Sequence, residues 1–372
     1  MKSVLISHAV LSNGGDAAMN LALYDEIKPV YGVKIACLRA HQTKSLFADY
    51  EIVQDTKFDF PWNKAKILRN FRLYAQAFER SYRSSDVIIA APGGFLNNYY
   101  GCYAHLKRLQ TLSRKKKTGV YSHSIGPLSR KEKAMMRSLS ERLDFLYVRD
   151  KKSYELLTKS LRIDPKKVTL TNDCAFLIPA KPQKSIAKSG VVGISVRDWH
   201  FDGKSIIKFR KSIIEVCQHL HAHGFQVEFI STCQGVPGYI DDSSAARQIQ
   251  ESLNTQGVPV IVDTSHHTPS ALMEKMSAYD FFIGTRMHSC ILSMISGTPA
   301  LNISYEFKSK ELYDYLGLGD YVINYGCEPE EAIQKLQLFM LKRDEIVRTI
   351  ADRIPLERER AIGFKDDMLN RI

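Results

Sequence analysis

Ala278 to Pro299 reads AYDFFIGTRMHSCILSMISGTP, and this stretch decides the fold. Tyr279 to Gly284 is a short apolar run with the aromatic pair Phe281–Phe282 and Ile283, the pattern of a buried strand. Gly284 breaks the run, and Ser289 to Ser296 reads as the start of a helix. Between them stands Thr285-Arg286-Met287-His288-Ser289. The carboxyl end of a strand, where a helix begins, is where open α/β sheets place ligand chemistry. A helix N-terminus offers unpaired N–H groups and a partial positive charge, so an anion is expected there. Arg286 adds a planar fork suited to phosphate or carboxylate, and His288 a group that moves protons near neutral pH. The plainer alternative is a strand-to-helix turn with a surface Arg and a capping His or Ser.

The 372 residues are too many for one core and suggest two domains. Apolar content of 44% and charged content of 25% are those of a soluble globular protein, and no run reaches the length of a membrane span. The N-terminal MKSVLISHAV reads as a first buried strand rather than a signal peptide, because Asn13-Gly14-Gly15-Asp16 follows without a cleavage site. Seven scattered cysteines show no metal-ligand spacing, so a cytoplasmic protein without disulfides or zinc is expected. The formal charge of +12 calls for an acidic partner. Anionic lipid headgroups and phosphorylated small molecules qualify. No nucleic-acid-binding motif is present, so nucleic acid is not expected.

Along the chain, strands are expected at Ser3–Val10, Val33–Leu38, Asp86–Ala91, Thr118–His123, Leu143–Val148 and Val168–Leu170. Most end in a polar or glycine turn: Asn13-Gly14-Gly15-Asp16, Pro92-Gly93-Gly94, Ser124-Ile125-Gly126-Pro127, Arg149-Asp150 and Asn172-Asp173-Cys174. Asp16 stands where an N-cap or first-turn carboxylate belongs before a helix over Ala17–Ile27. Arg39 to Phe60 looks irregular. Trp62 to Arg83 reads as a basic helix, either a solvated face or a patch for membrane or a lipid-linked pyrophosphate. Pro179 to Ser189, with two prolines and several lysines, reads as a linker.

The pattern then restarts. Strands are expected at Gly190–Val196, Phe225–Ile230, Pro259–Val262, Tyr279–Gly284 and Ala300–Ser304, with helices at Ser205–His223, Asp241–Leu253 and Thr268–Ala278. Glu330 to Arg371 is mostly helical and charged. The expected domains are 1–180, 190–345 after a linker at 181–189, and a helical segment 346–372 that packs back on the first domain. Alternating strands and helices in both halves describe parallel, doubly wound sheets, and two such halves predict a cleft.

Taken together and in order, these turns resemble the polysaccharide pyruvyltransferase family. The resemblance runs through Asn13-Gly14-Gly15-Asp16, Pro92-Gly93-Gly94, Ser124-Ile125-Gly126-Pro127, Val148-Arg149-Asp150 with Ser153, Asn172-Asp173-Cys174-Ala175-Phe176, Gly193-Ile194-Ser195-Val196-Arg197, Gly284-Thr285-Arg286-Met287-His288, and Gly297-Thr298-Pro299 with Tyr305 and Lys308. Two positions depart from the family's habit: His123 where glutamine is usual, and Cys174 where proline is usual.

The resemblance implies α/β architecture of GT-B type, two Rossmann-like domains with parallel sheets facing a cleft. It implies transfer of pyruvate from phosphoenolpyruvate to a sugar as a cyclic ketal, without metal or cofactor. Phosphoenolpyruvate carries a phosphate and a carboxylate on one small frame, which Arg197 and Arg286 would hold, with Thr285 and Ser289 beside them. His288 is the expected acid for the methylene carbon. The bases considered for the sugar hydroxyls are Asp16, His123 and Asp173, in that order, though Asp173 is equally a turn carboxylate. Asn13, Gly15, Gly93, Gly94 and Asp173 would line the acceptor pocket. The acceptor is a polysaccharide or its lipid-linked precursor, which suits a cytoplasmic enzyme with peripheral contact to the inner membrane face. Two other readings stay open: a GT-B glycosyltransferase using a nucleotide sugar, and a glycan-binding protein that keeps the fold without the reaction.

Overall fold

In the computed structural model, which describes residues 1–55, 80–180, 189–200 and 203–372, the chain divides into two compact units. Residues 1–12, 16–177 and 359–372 form the first, and residues 13–15 and 178–358 the second.

The first unit is built on β1 (Ser3–Ala9), β2 (Gly32–Cys37), β3 (Ile52–Gln54), β4 (Val87–Ala90), β5 (Gly93–Leu96), β6 (Lys117–Ile125), β7 (Phe145–Val148) and β8 (Thr169–Leu170). They pair in the order β3-β2-β1-β4-β6-β7-β8, with β5 also on β6, and all pairings are parallel. Strands covered on both faces need unbroken apolar runs, and Val4-Leu5-Ile6 and Val87-Ile88-Ile89-Ala90 supply them. Helices Cys102–Leu112 and Arg130–Ser140 cover part of the sheet, burying Leu106, Leu109 and Leu139 against Val120, Leu146 and Val148. The second of them starts in a capping box, in which Ser129 N–H donates to Glu132 Oε2 at 2.8 Å.

The second unit carries β9 (Val191–Ser195), β10 (Gln226–Phe229), β11 (Val260–Val262), β12 (Phe281–Gly284), β13 (Ala300–Ser304) and β14 (Val322–Asn324). Their order is β11-β10-β9-β12-β13-β14, again all parallel. The strand order reverses between β9 and β12, and the carboxyl ends at such a switch point are where these sheets bind ligands. Val192, Ile194, Phe229, Phe282, Ile283 and Leu301 fill the centre. Helix Arg343–Asn370 begins in this unit, and its residues from Glu359 on belong to the first.

The structure departs from the sequence reading in instructive places. β3 lies inside the segment read as irregular, and β14 was not foreseen; each is only three residues long. Pro92-Gly93-Gly94 is more than a turn. β4 pairs with residues 117–120 of β6, the ladder stops at Ala91-Pro92, and β5 resumes on the same strand with Gly93↔His123 and Leu96↔Ile125. Proline, which has no N–H to donate, interrupts the ladder there. The helix after β1 spans Gly14–Ile27, so Asp16 sits in its first turn. Most of the basic stretch Trp62–Arg83 and the linker residues 181–188 lie outside the described residues; the end of the former forms a short helix, Arg80–Ser84.

Gly193 lies in β9 beneath two aromatic rings, and a Cβ there would come within 2.5 Å of Tyr279 Cδ2 and 2.8 Å of Phe282 Cδ2. Gly193→Ala should therefore destabilise by about 1–3 kcal/mol, the usual cost of overpacking. A thermal melt of the variant against the parent checks this: an unchanged midpoint would show that the rings move aside freely.

Candidate functional site

In the second unit the polar residues gather at the carboxyl ends of β9, β10 and β12. Thr285 N–H and Oγ1–H both reach the Ser195 carbonyl, at 3.2 and 3.1 Å. The side chain expected to stand beside the donor substrate thus ties β12 to β9. Arg286 follows in extended conformation (φ −93°, ψ 123°) and forms the N-cap of helix Met287–Ile295 without a capping side chain. The helix starts two residues earlier than the apolar pattern suggested, which places His288 and Ser289 inside its first turn.

Arg286 is not an open anion clamp. Its Nε and Nη2 donate to the two carboxylate oxygens of Asp242 at 2.5 and 2.7 Å, a fork-on-fork pair with side chains 8% and 3% exposed. Burial acts against its charge, but the neighbouring carboxylate outweighs it and lifts the guanidinium well above its ordinary pKa. Asp242 stands at the cap position of helix Ser243–Asn254, yet its carboxylate makes no cap bond; it also accepts the Ser231 hydroxyl. What remains of Arg286 for a ligand is its Nη1 edge, held at a fixed angle. Ser289 is fully buried, and its hydroxyl makes no hydrogen bond.

Arg197, past the end of β9, is fixed differently. Its Nη1 donates to the Tyr305 hydroxyl at 2.9 Å, and its guanidinium lies 5.1 Å from the Trp199 ring centroid and 5.2 Å from that of Tyr305. The Tyr325 hydroxyl accepts Trp199 N–H at 3.0 Å and donates to the Arg197 carbonyl at 3.2 Å, locking this turn. Lys204 donates to the Tyr305 carbonyl, and Lys308 lies 3.7 Å from Glu306. Two guanidinium groups thus occupy this unit's carboxyl-end rim, one locked by a carboxylate and one by aromatic rings.

Asn13–Gly15 belong to the same unit. Gly14 N–H donates to the Thr232 carbonyl at 2.7 Å, and Asn13 Oδ1 accepts Gly15 N–H at 3.0 Å. A Cβ on Gly15 would lie 2.6 Å from His288 Cβ and 2.8 Å from its Nδ1. The glycine pair is thus needed for close approach: backbone lies directly on the His288 ring, along its Nδ1 edge.

In the first unit, Asp16 and His123 both approach Gly93, whose Cβ position lies 3.7 Å from Asp16 Oδ1 and 3.9 Å from His123 Cε1. Gly94 is half-buried, and its carbonyl accepts the Asn97 side-chain amide. His123 is fully buried, and its Nε2 accepts Leu96 N–H at 3.3 Å, so it pins β5 to β6 and the lone pair a base would use is occupied. Asp173 is likewise engaged. It pairs with Arg149 at 2.6 Å and accepts Ala175 N–H at 2.9 Å, while Ser122 Oγ accepts Cys174 N–H at 2.8 Å. Of the two readings left open for Asp173, the geometry is that of the turn carboxylate. Asp150 and Ser153 are structural too: Asp150 caps the following short helix through Ser153 N–H, and Ser153 Oγ accepts Ile125 N–H at 2.8 Å.

Asp242 and Trp199 escaped the sequence reading. An acidic pair before a helix looks like a cap, and only the packing shows which of the two meets an arginine. Among the described residues no group of three or more His, Cys, Asp or Glu is placed to hold a metal ion, and no helix is long and apolar enough to cross a membrane.

Two parallel-sheet α/β units of this kind define a GT-B-like protein. The structure is similar to UDP-GlcNAc 2-epimerase from Neisseria meningitidis bound to UDP-GlcNAc, with TM-score 0.63 and 14% identity, covering 100% of both chains. It is also similar to Anabaena HepE in complex with UDP-glucose, with TM-score 0.64 and 12% identity over 100% of this chain and 99% of that one. At such identities the likeness is one of fold. The chain belongs to the polysaccharide pyruvyl transferase family, whose sequence pattern matches residues 13–306. It is 27% identical over 311 residues to the amylovoran biosynthesis protein AmsJ of Erwinia amylovora, covering 78% of this chain and 74% of that protein.

Breaking a buried ion pair by removing one partner costs about 3–5 kcal/mol, whereas replacing both with apolar groups is far milder. Arg286→Met should destabilise strongly, and adding Asp242→Leu should recover most of that loss in urea unfolding; additive losses would show that the pair is not coupled. Gly15→Ala should displace His288, cutting turnover at least tenfold while the melting temperature falls by only a few degrees. Equal turnover in parent and variant would show that the ring has room to move.

Proposed function

We propose that this enzyme transfers the pyruvyl group of phosphoenolpyruvate to a sugar diol of an exopolysaccharide or its lipid-linked precursor, forming a cyclic ketal and releasing phosphate. The observation that carries the reading is the junction at the end of β12. There a carboxylate-locked Arg286, the uncapped start of helix Met287–Ile295 and a His288 ring packed on Gly15 share one turn and a half of chain. Oriented N–H groups and a fixed guanidinium suit a dianionic phosphate. Arg197, held beside the Trp199 and Tyr305 rings, suits the planar carboxylate of the same donor.

The chemistry follows from those positions. His288 protonates the methylene carbon through Nε2, since its Nδ1 edge lies against Gly15, and the adjoining carbon becomes electrophilic. One sugar hydroxyl adds there; a second displaces phosphate, whose departing charge Arg286 offsets. Asp16, in the first turn of its helix, serves as hydrogen-bond acceptor and base for one hydroxyl. The kinship to a protein of amylovoran biosynthesis supports an exopolysaccharide acceptor. The net charge of +12 suits an acceptor carried on an anionic lipid at the membrane surface.

A nucleotide-sugar donor is the competing reading, favoured by similar folds that hold UDP-sugars. Thermal denaturation separates the two. A ligand at a hundred times its Kd adds about 2.7 kcal/mol, or roughly 5–10 °C, to a unit of this size. Phosphoenolpyruvate should produce such a shift, and Arg197→Gln should lose most of it. A shift with UDP-glucose or UDP-GlcNAc and none with phosphoenolpyruvate would overturn the proposal.

A further inference from the structure

Two exposed tyrosines stand on a pinned turn of the first unit, just past the glycine pair expected to line the acceptor pocket. Strand β5 covers Gly93–Leu96, and Asn98–Tyr100 then forms a short 3-10 turn before helix Cys102–Leu112. Tyr99 and Tyr100 on that turn are 47% and 51% exposed. Among the described residues they are the only consecutive pair of large apolar side chains exposed to solvent. A lone exposed ring is ordinary on a protein surface, whereas contiguous exposed apolar surface marks places where something binds.

The turn is held from several sides. Asn97, only 3% exposed, accepts Tyr100 N–H on its side-chain oxygen at 3.2 Å, while its side-chain amide donates to the Gly94 carbonyl. Asn98 N–H donates to the Pro127 carbonyl at 3.0 Å, and Cys102 N–H to the Asn97 carbonyl at 3.3 Å. Gly101, left-handed at φ 73°, then turns the chain into the helix. One buried side chain thus ties the tyrosine turn to the glycine strand. A preformed turn loses little conformational entropy when a ligand arrives, and tyrosine offers a wide amphipathic ring on few rotatable bonds. The flank is cationic. Tyr103, in the first turn of the helix, has Lys107 Nζ 5.2 Å and Lys131 Nζ 4.6 Å from its ring centroid.

Such a surface fits one ligand chemistry well. A pyranose ring carries C–H groups on its faces and hydroxyls around its rim. Its face therefore packs on an aromatic ring while its rim bonds to water and to polar neighbours. A protein partner would call for a broader apolar centre than two rings flanked by lysines. We propose that Tyr99 and Tyr100 form a stacking platform for a sugar unit of the acceptor other than the one that reacts. The platform makes the enzyme select a saccharide chain over a monosaccharide.

Because the platform rests on the polysaccharide reading of the acceptor, binding and turnover are measured apart. The probe is the host's exopolysaccharide, stripped of its ketals by mild acid. In a native gel cast with that polysaccharide the parent protein should be retarded. Tyr99→Ala with Tyr100→Ala should lose roughly 5–100-fold in affinity, the loss of two stacked rings. Tyr99→Phe with Tyr100→Phe should bind as the parent does, since both rings remain. In phosphate release from phosphoenolpyruvate, the alanine pair should raise KM for the polysaccharide by the same factor and lower kcat far less. Equal retardation of the alanine pair and the parent, or no retardation of the parent, would overturn the platform. Binding lost in the phenylalanine pair would overturn stacking as its basis. Should the alanine pair fail to fold, the single alanine variants decide in the same gel, each losing about 2–10-fold. No phosphate release on a polysaccharide that retards the parent would overturn the pyruvyl-transfer reading and leave the platform standing.

Discussion

The buried pairing of Arg286 with Asp242 is the constraint on which the second unit's chemistry depends. An arginine at the start of a helix would ordinarily sweep through solvent. Here two of its donors are fixed on a carboxylate that is itself held by Ser231, so one edge of the guanidinium and the following helical turn are set at a defined angle. Such a pair adds little net stability after desolvation. What it supplies is direction: a guanidinium held at one angle beside the start of a helix. Arg197 is held by other means, through the Tyr305 hydroxyl and beside the Trp199 and Tyr305 rings.

The residues that carry the family resemblance divide into two groups once their hydrogen bonds are traced. Thr285, Asp150, Ser153, Arg149 and Asp173 commit their polar atoms to the protein itself, tying strand ends together. Loops that leave the carboxyl ends of parallel strands cannot satisfy their backbone groups from the ladder, and short polar side chains do it for them. His123 belongs here as well, because its acceptor nitrogen takes the amide of Leu96. In the second group, Asp16, Arg286 and His288 stand at the starts of helices, and Arg197 lies just past the end of β9. Much of the motif pattern is therefore a frame of side chains bonded to the protein itself.

Much of the frame was legible because its physics is local. Continuous apolar runs such as VIIA at 87–90 specify a strand covered on both faces, and glycine turns between strand and helix specify parallel order; both follow from periodicity alone. β5 was hidden, since Pro92-Gly93-Gly94 carries turn chemistry and only the adjoining β6 supplies the partner that makes it a strand. The start of helix Met287–Ile295 was misplaced because its first turn is polar and carries no cap signal.

By itself, then, the sequence determined two doubly wound α/β halves and the position of Arg286 and His288 at a strand-to-helix junction. It also determined the family, through short motifs in register. The tertiary structure alone decided which carboxylate meets which cation: Asp242 rather than Asp241 behind Arg286, and Arg149 on Asp173. It also decided that His8, ordinary in its sequence context, sits on a bulge with its ring against that of His105. The reason is physical. Strand and helix formation depend on residues within a few positions of one another, whereas the field at a charged group depends on whatever the fold packs against it, however far away in the chain.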